Sequence, residues 1–185
     1  TRQFLSPRHP FCSIVIPTYN RAKELRYVIS NLVTQTVPSN SYEIIVIDDG
    51  SSDETKNAVD QLQRDNPQHR IRYIHQLNQG PATARNRGAR EARGEYLFFL
   101  DSDCVPGSTW IAAHLEAYWQ YPELMMVGGG QIVPAHLASI YDRYRNSFYS
   151  NAFSRENMGG IVLTNNIQDH VVPYDTANLS IRTDV

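Results

Sequence analysis

YLFFLDSDCV, residues Tyr96 to Val105, sets four apolar side chains directly before two carboxylates that stand one residue apart. Leu97 to Leu100 are too few to span a membrane and too unbroken for a half-exposed strand, in which apolar and polar residues alternate. They predict a strand buried on both faces, as in parallel sheets covered by helices. Asp101, Ser102 and Asp103 then fall where that strand leaves its sheet, the edge at which open α/β sheets bind ligands. Oxygen-only side chains suit a hard cation such as Mg2+ or Mn2+, and these ions need few protein ligands when they also bridge phosphates. The stretch therefore points to a metal-diphosphate site. Its plainer alternative is a pair of acidic residues closing a turn.

Outward from this strand, apolar runs recur with polar ends. Cys12 to Pro17 reads as a buried strand stopped by proline, followed by a turn at Thr18, Tyr19 and Asn20. Asn20 is the expected N-cap of a helix with Leu25, Ile29 and Leu32 on one face. Ile44 to Ile47 is a second strand and runs into Asp48 and Asp49. Ser51 and Glu54, three apart, predict a capping box for a helix through Val59 and Leu62. Ile71 to His75 is a third strand, interrupted by Arg72. Gly80 and Pro81 open a helix in which Ala82, Ala89 and Ala92 are expected to face the sheet, with Arg87, Arg90 and Arg93 outward.

Beyond the Asp pair, Ser108 is the expected start of a helix carrying Trp110, Ile111, His114, Leu115 and Tyr118 inward, with His114 read as a core residue rather than a base. Met125 to Val133 is expected to be extended, Ile140, Tyr144 and Phe148 to mark a helix, Gly159 and Gly160 a loop, and Ala177 to Ile181 a last strand. Strand and helix alternate at least four times, so the fold class is α/β, Rossmann-like, with a mostly parallel sheet flanked by helices.

Composition narrows the functional classes. With 185 residues and 41% hydrophobic content, one ordinary globular domain is expected. Seventeen basic against nineteen acidic residues give a formal charge of -2, which supplies no global field for nucleic acid or an anionic membrane. Two cysteines, Cys12 and Cys104, form no disulfide framework and no metal spacing. No apolar run reaches the length of a membrane span, so the expected location is cytoplasmic, with the inner face of the membrane as the variant.

In a parallel sheet the ends of the first, second and fourth strands share one edge. Thr18 and Tyr19, Asp48 and Asp49, and Asp101 and Asp103 then meet as a nucleotide site, with Tyr19 offering a ring face to a base, Asp49 accepting from a base N–H, and the last pair holding ribose and metal. Arg85 and Asn86 fall near the start of the helix opened by Gly80, where exposed N–H groups favour anions. Taken singly, each has a structural alternative: a capping loop at Asp48 to Asp53, a packed aromatic at Tyr19. Gly128 to Gly130 match neither a Walker pattern nor a dinucleotide fingerprint.

Four runs, SIVIPTYNR, EIIVIDDGSSDET, NQGPATARNRGAREARGEYLFFLDSD and TANLSIR, occur in that order, and together they resemble glycosyltransferase family 2, the inverting enzymes of the GT-A fold. The resemblance covers the chain from Phe11, leaving 1–10 as an N-terminal extension and 11–185 as a GT-A domain expected to be truncated at its C-terminal end. It implies a nucleoside-diphosphate sugar donor, a UDP-sugar favoured, and Mn2+ or Mg2+ as cofactor. The acceptor is a saccharide, a lipid-linked or another hydroxyl, in a setting such as cell-envelope polysaccharide synthesis. Position by position it implies that Pro17, Thr18 and Tyr19 line the base and ribose pocket and that Asp49, with Asp48, binds the base. Arg85 approaches the base, Asp101 meets the ribose and Asp103 holds the metal. The general base of the family belongs to an acidic pair downstream of the segment that TANLSIR matches, and is therefore expected beyond Val185. Asp175 is the substitute candidate here, and Thr176 and Asn178 are expected on the acceptor side. Two other classes stay open: a nucleotide-sugar binding fragment without its base, and a sugar-phosphate nucleotidyltransferase, which would need a glycine-rich loop where this chain has Pro-Thr-Tyr-Asn.

Overall fold

The computed structural model describes residues 12–122, 125–128, 161–162 and 178–183. Their elements are β1 (Cys12–Thr18), α1 (Ala22–Leu32), β2 (Tyr42–Asp48), α2 (Thr55–Asp65), β3 (Arg70–His75), α3 (Pro81–Glu91), β4 (Tyr96–Leu100), α4 (Trp110–Gln120), β5 (Met126–Gly128), β6 (Ile161–Val162) and β7 (Asn178–Arg182). The sheet runs β3-β2-β1-β4-β7-β5-β6. β1 pairs in parallel with β2 on one side and β4 on the other, and β3 joins β2 in parallel. β7 then lies antiparallel between β4 and β5, with β6 antiparallel to β5. The chain order reverses on the two sides of β1, and such a switch point opens a crevice at the strand ends.

Side-chain alternation along these strands builds two cores. Ile14 and Ile16 of β1, Ile44 and Val46 of β2, and Phe98 and Leu100 of β4 pack with Leu25, Val28 and Ile29 of α1, Val59 and Leu62 of α2, and Ile111 and Leu115 of α4. Val15, Ile45, Ile47 and Leu97 point the other way and are covered by Ala84, Ala89 and Ala92 around α3. Each fully buried Ile, Leu or Phe contributes on the order of 1.5–3 kcal/mol through the apolar surface removed from water, so both faces hold the sheet in place.

The structure corrects several local expectations. On α3 the buried pair is Ala84 and Gly88, four apart, while Ala82 is exposed. A Cβ on Gly88 would stand 2.2 Å from Val15 Cγ1, so the absence of a side chain is what lets α3 lie against β1. Asn20 is not the N-cap of α1. It adopts φ 51 and the cap position falls to Arg21, while the Ala22 N–H is satisfied from another loop by Asp53 Oδ2 at 3.0 Å. Ser51 makes no capping box either, since its hydroxyl accepts from the Asn20 N–H at 2.9 Å. Asp53 takes the local capping role at α2, accepting from the Thr55 N–H at 3.0 Å. Burial works against the charge of Asp53, but these hydrogen bonds, with one from the Thr55 hydroxyl, outweigh it and hold the carboxyl below its ordinary pKa.

Arg72 does not weaken β3. Its guanidinium reaches Glu43 at 3.3 Å and Glu91 at 2.8 Å, and the buried Glu43 in turn accepts from the Ser13 hydroxyl at 2.7 Å, so a partly buried polar network ties β1, β2, β3 and α3 together. The extended run expected over Met125 to Val133 is a strand at Met126–Gly128 among the described residues, and the last strand is Asn178–Arg182. The helix expected around Ile140, Tyr144 and Phe148, the loop at Gly159 and Gly160, and residues Asp175 and Thr176 lie outside the described residues. So does Val185, the position beyond which the general base is expected, and the description stops at Thr183, just after β7.

Candidate donor-binding site

Hydrogen bonding continues past the strand ends and draws three loops together: the Asp49 N–H donates to Thr18 O at 2.9 Å, and the Gln76 N–H to Asp48 O at 2.9 Å. The pocket that opens there has a volume of about 550 Å3, a size suited to a small ligand or cofactor. Pro17, Thr18 and Tyr19 from the end of β1 line it, as do Asp49 after β2, Arg85 of α3, and Asp101 and Asp103 after β4. Tyr19 is 49% exposed, which leaves its ring open to a planar partner.

Asp48 is not brought to this pocket. Successive residues leave a strand on opposite faces, and Asp48 follows Val46 onto the side of the first core. There its Oδ1 accepts from the Ser51 N–H at 2.8 Å and its Oδ2 from the Tyr73 hydroxyl at 2.5 Å. Burial, reinforced by this hydrogen bond and the Asp48 charge, raises the Tyr73 pKa well above the ordinary phenol value. Asp49 turns the other way, toward α3. Only 4% exposed, it accepts from Gln76 Nε2 at 2.7 Å and the Gln79 N–H at 2.9 Å on Oδ1, and from the Gly80 N–H at 2.8 Å on Oδ2. Gly80 sits at the N-cap of α3 with φ 87, a conformation that glycine adopts without steric cost. Asp49 thus anchors the start of α3 from a different loop.

One turn into α3, Arg85 Nη2 donates to Asp101 Oδ1 at 2.5 Å. Asp103 is paired in turn with Arg21, whose Nη1 donates to Asp103 Oδ2 at 2.5 Å. Both aspartates of the Asp-Ser-Asp run therefore carry an arginine. Among the described residues, Arg85 Nε and Thr18 Oγ1 are buried polar atoms with no hydrogen-bond partner, and both residues line the pocket. The third such atom, His114 Nε2, belongs to the core.

Asp101 and Asp103 are the side chains of this lining whose chemistry fits a divalent cation. Asp101 and Asp103 supply hard oxygens at the rim of an open pocket, and the described residues hold no group of three or more His, Cys, Asp or Glu side chains that would form a complete cage. That is the arrangement in which Mg2+ or Mn2+ relies on phosphate and water for the rest of its shell.

Asn178 opens β7 opposite Leu100, next to the exit of β4, and its Oδ1 accepts from Trp110 Nε1 at 2.5 Å. His114 is buried between Phe98, Trp110 and Ser180, with Nδ1 2.8 Å from Ser180 Oγ. Burial drives its pKa down to about 4, against a smaller opposing influence of Asn178, which favours the protonated ring, so it is a neutral core residue as its apolar helix face predicts. Arg21, Asn78 and Ser102 also line the pocket and have no role in the sequence reading. Arg21 lies within the SIVIPTYNR run, where a positive charge next to a turn is the available signal.

The chain is similar to proteins already known. The family model described as Glycosyl transferase family 2 matches residues 13–182. Glycosyltransferase AglE of Haloferax volcanii is 37% identical over 102 residues, covering 55% of this chain and 33% of that protein. Among solved structures, the mannosyltransferase PcManGT from Pyrobaculum calidifontis, in complex with GDP-Man and Mn2+, superposes with a TM-score of 0.62 at 26% identity, covering 66% of this chain and 36% of that one. Residues 1–349 of Staphylococcus aureus TarS, in complex with UDP, give a TM-score of 0.58 at 25% identity over 66% of this chain and 38% of that one. The matched part is about a third of the length of each of these relatives.

Proposed function

The chain belongs to glycosyl transferase family 2, and from that premise we propose that it is the donor-binding part of an inverting enzyme that moves a sugar from a nucleoside diphosphate to an acceptor hydroxyl. One observation carries the reading: three strand ends and the start of α3 bring Tyr19, Asp49, Arg85, Asp101 and Asp103 around a single pocket.

The roles follow from chemistry. Tyr19 stacks on the base. An ionised carboxylate has about four lone-pair sites, and Asp49 uses three on Gln76, Gln79 and Gly80, which leaves one for a base N–H. Every base offers an N–H to such an acceptor, so this bond does not choose among them; UDP-, dTDP- and GDP-sugars are the donor candidates to test, with UDP first. Arg85 holds the Asp101 carboxylate toward the ribose and brings its unpartnered Nε to the same wall. Asp103, with Asp101 beside it, would hold Mg2+ or Mn2+, which when bound offsets the charge that develops on the leaving diphosphate.

The acceptor proton needs a further carboxylate, because the aspartates that line the pocket among the described residues are Asp49, Asp101 and Asp103. We assign the base to a residue C-terminal of β7 and beyond Val185, with Asp175 as the substitute, and the acceptor side to the neighbourhood of Asn178 and Thr176. The second reading is a chain that binds donor without transferring it. No described helix is long and apolar enough to cross a membrane, and the proposed setting is the cytoplasm or its membrane face.

Calorimetric titration with UDP, GDP and dTDP, with and without Mn2+, tests the proposal. Metal-dependent binding of one of them is expected; a folded sample that binds none would overturn it. Transfer or hydrolysis of the matching nucleotide sugar then separates the enzyme from the binding fragment.

A further inference from the structure

Asp103, the residue assigned to the metal, is already occupied by a cation of the protein itself. Its Oδ2 accepts from Arg21, and its Oδ1 meets the Cys104 thiol at 3.8 Å. A divalent ion docking on this carboxylate would meet a guanidinium at hydrogen-bond distance from the same group, and like charges at that separation repel. Building on the donor-site reading, we propose that Arg21 stands in for the metal on Asp103 while the site is empty, releases it when cation and diphosphate arrive, and then binds the diphosphate.

The backbone around Arg21 is built for a side-chain exchange. Asn20 is fixed to the loop after β2 from both directions, its N–H on Ser51 Oγ at 2.9 Å and its Oδ1 on the Ser52 N–H at 2.8 Å. The Ala22 N–H on the other side is held by Asp53. Arg21 is thus pinned at its Cα, while its side chain is 46% exposed and that of Asp103 48%. An ion pair so open to water is held weakly and is easily traded. The second pair differs: Arg85 and Asp101 are 20% and 29% exposed, so this guanidinium is the better anchored of the two. Arg21 lines the pocket together with Asp103, so once released it stays at the rim, where the entering diphosphate is the anion that replaces its lost partner. Metal and nucleoside diphosphate should therefore bind with positive coupling, each relieving the other's cost.

The test measures Mn2+ binding, by electron paramagnetic resonance of the free ion, and nucleoside diphosphate binding at saturating Mn2+, using whichever of UDP, GDP and dTDP the wild-type chain prefers. Arg21→Gln should bind Mn2+ alone about two- to fivefold more tightly, the range expected from losing an exposed ion pair, yet bind the diphosphate about tenfold more weakly, the order of one charged hydrogen bond. Arg21→Lys, which keeps the charge, should restore most of both effects. Lys23→Gln, on the exposed face of the same helix, should change neither. Unchanged Mn2+ affinity in Arg21→Gln, or an equal gain in Lys23→Gln, would overturn the exchange and leave the donor site standing. A wild-type chain with no metal-dependent nucleotide binding would instead sink the donor reading, and the exchange with it.

Discussion

At the scale of single residues, neighbours in sequence have opposite work. Asp48 and Asp49 are adjacent acidic residues after the same strand, but the period of two sends Asp48 to Ser51 and Tyr73 and Asp49 to the pocket. Asp48→Ala leaves a buried N–H and a phenol without their acceptor, and should lower the unfolding free energy measured in urea by about 1–3 kcal/mol with nucleotide affinity unchanged. Tyr19→Ala should do the reverse, weakening nucleotide binding by about 1–3 kcal/mol, the order of base-aromatic stacking, with the urea midpoint unmoved because the ring is half exposed. Asp103→Ala should abolish the Mn2+ dependence of binding in the calorimeter; an unaltered metal requirement would remove Asp103 from the metal site.

At the scale of elements, the helices are placed by residues they do not contain. Asp53 satisfies the start of α1 and Asp49 the start of α3, so each helix N-terminus is bonded to the loop after β2. The contact of α3 with the sheet rests on Gly88. A methyl there would overlap the stiff, β-branched Val15 in the middle of β1, and Gly88→Ala should destabilise the chain by about 1–3 kcal/mol. Val15→Ala opens the space that methyl needs, so Gly88→Ala/Val15→Ala should be more stable than the sum of the single changes predicts, as read from a double-mutant cycle in urea. A strictly additive cycle would mean that α3 shifts as a whole instead. Nucleotide affinity should fall with Gly88→Ala as well, because Arg85 rides on the same helix.

For the whole molecule, α4 is joined to β7 within the sheet around a neutral buried histidine. The unfolded chain takes up a proton at His114 near pH 6.5, whereas the folded chain resists it down to about pH 4, because burial disfavours the imidazolium. The contribution is therefore whole above pH 6.5 and lost as the pH falls toward 4, amounting to about 3 kcal/mol at most over that interval. Urea titrations at pH 7.0 and 4.5 should show the loss in the wild type, and His114→Gln, which cannot titrate, should flatten it; equal slopes in the two proteins would mean that other groups carry the acid sensitivity.

The alternation of apolar runs with polar ends determined the parallel half of the fold, because a strand buried on both faces and a helix with one apolar stripe leave distinct periods in the sequence. That same order brought Tyr19, Asp49, Arg85, Asp101 and Asp103 to one edge on paper, since parallel strands put their C-terminal ends together. What the tertiary structure alone decided was how each group is used there. A carboxylate's partner is set by which face it leaves and which loop lies opposite, and those contacts, Asp48 with Tyr73 and Arg21 with Asp103, join residues 25 and 82 positions apart. The caps expected at Asn20 and Ser51 differ for a related reason: a local rule looks three residues along the chain, while the Ala22 N–H found its oxygen on Asp53 in another loop and the Ser51 hydroxyl was taken by the Asn20 N–H from across the same gap. The antiparallel entry of β7 beside β4 was equally hidden, because pairing direction depends on how the intervening chain returns and not on the composition of the strand.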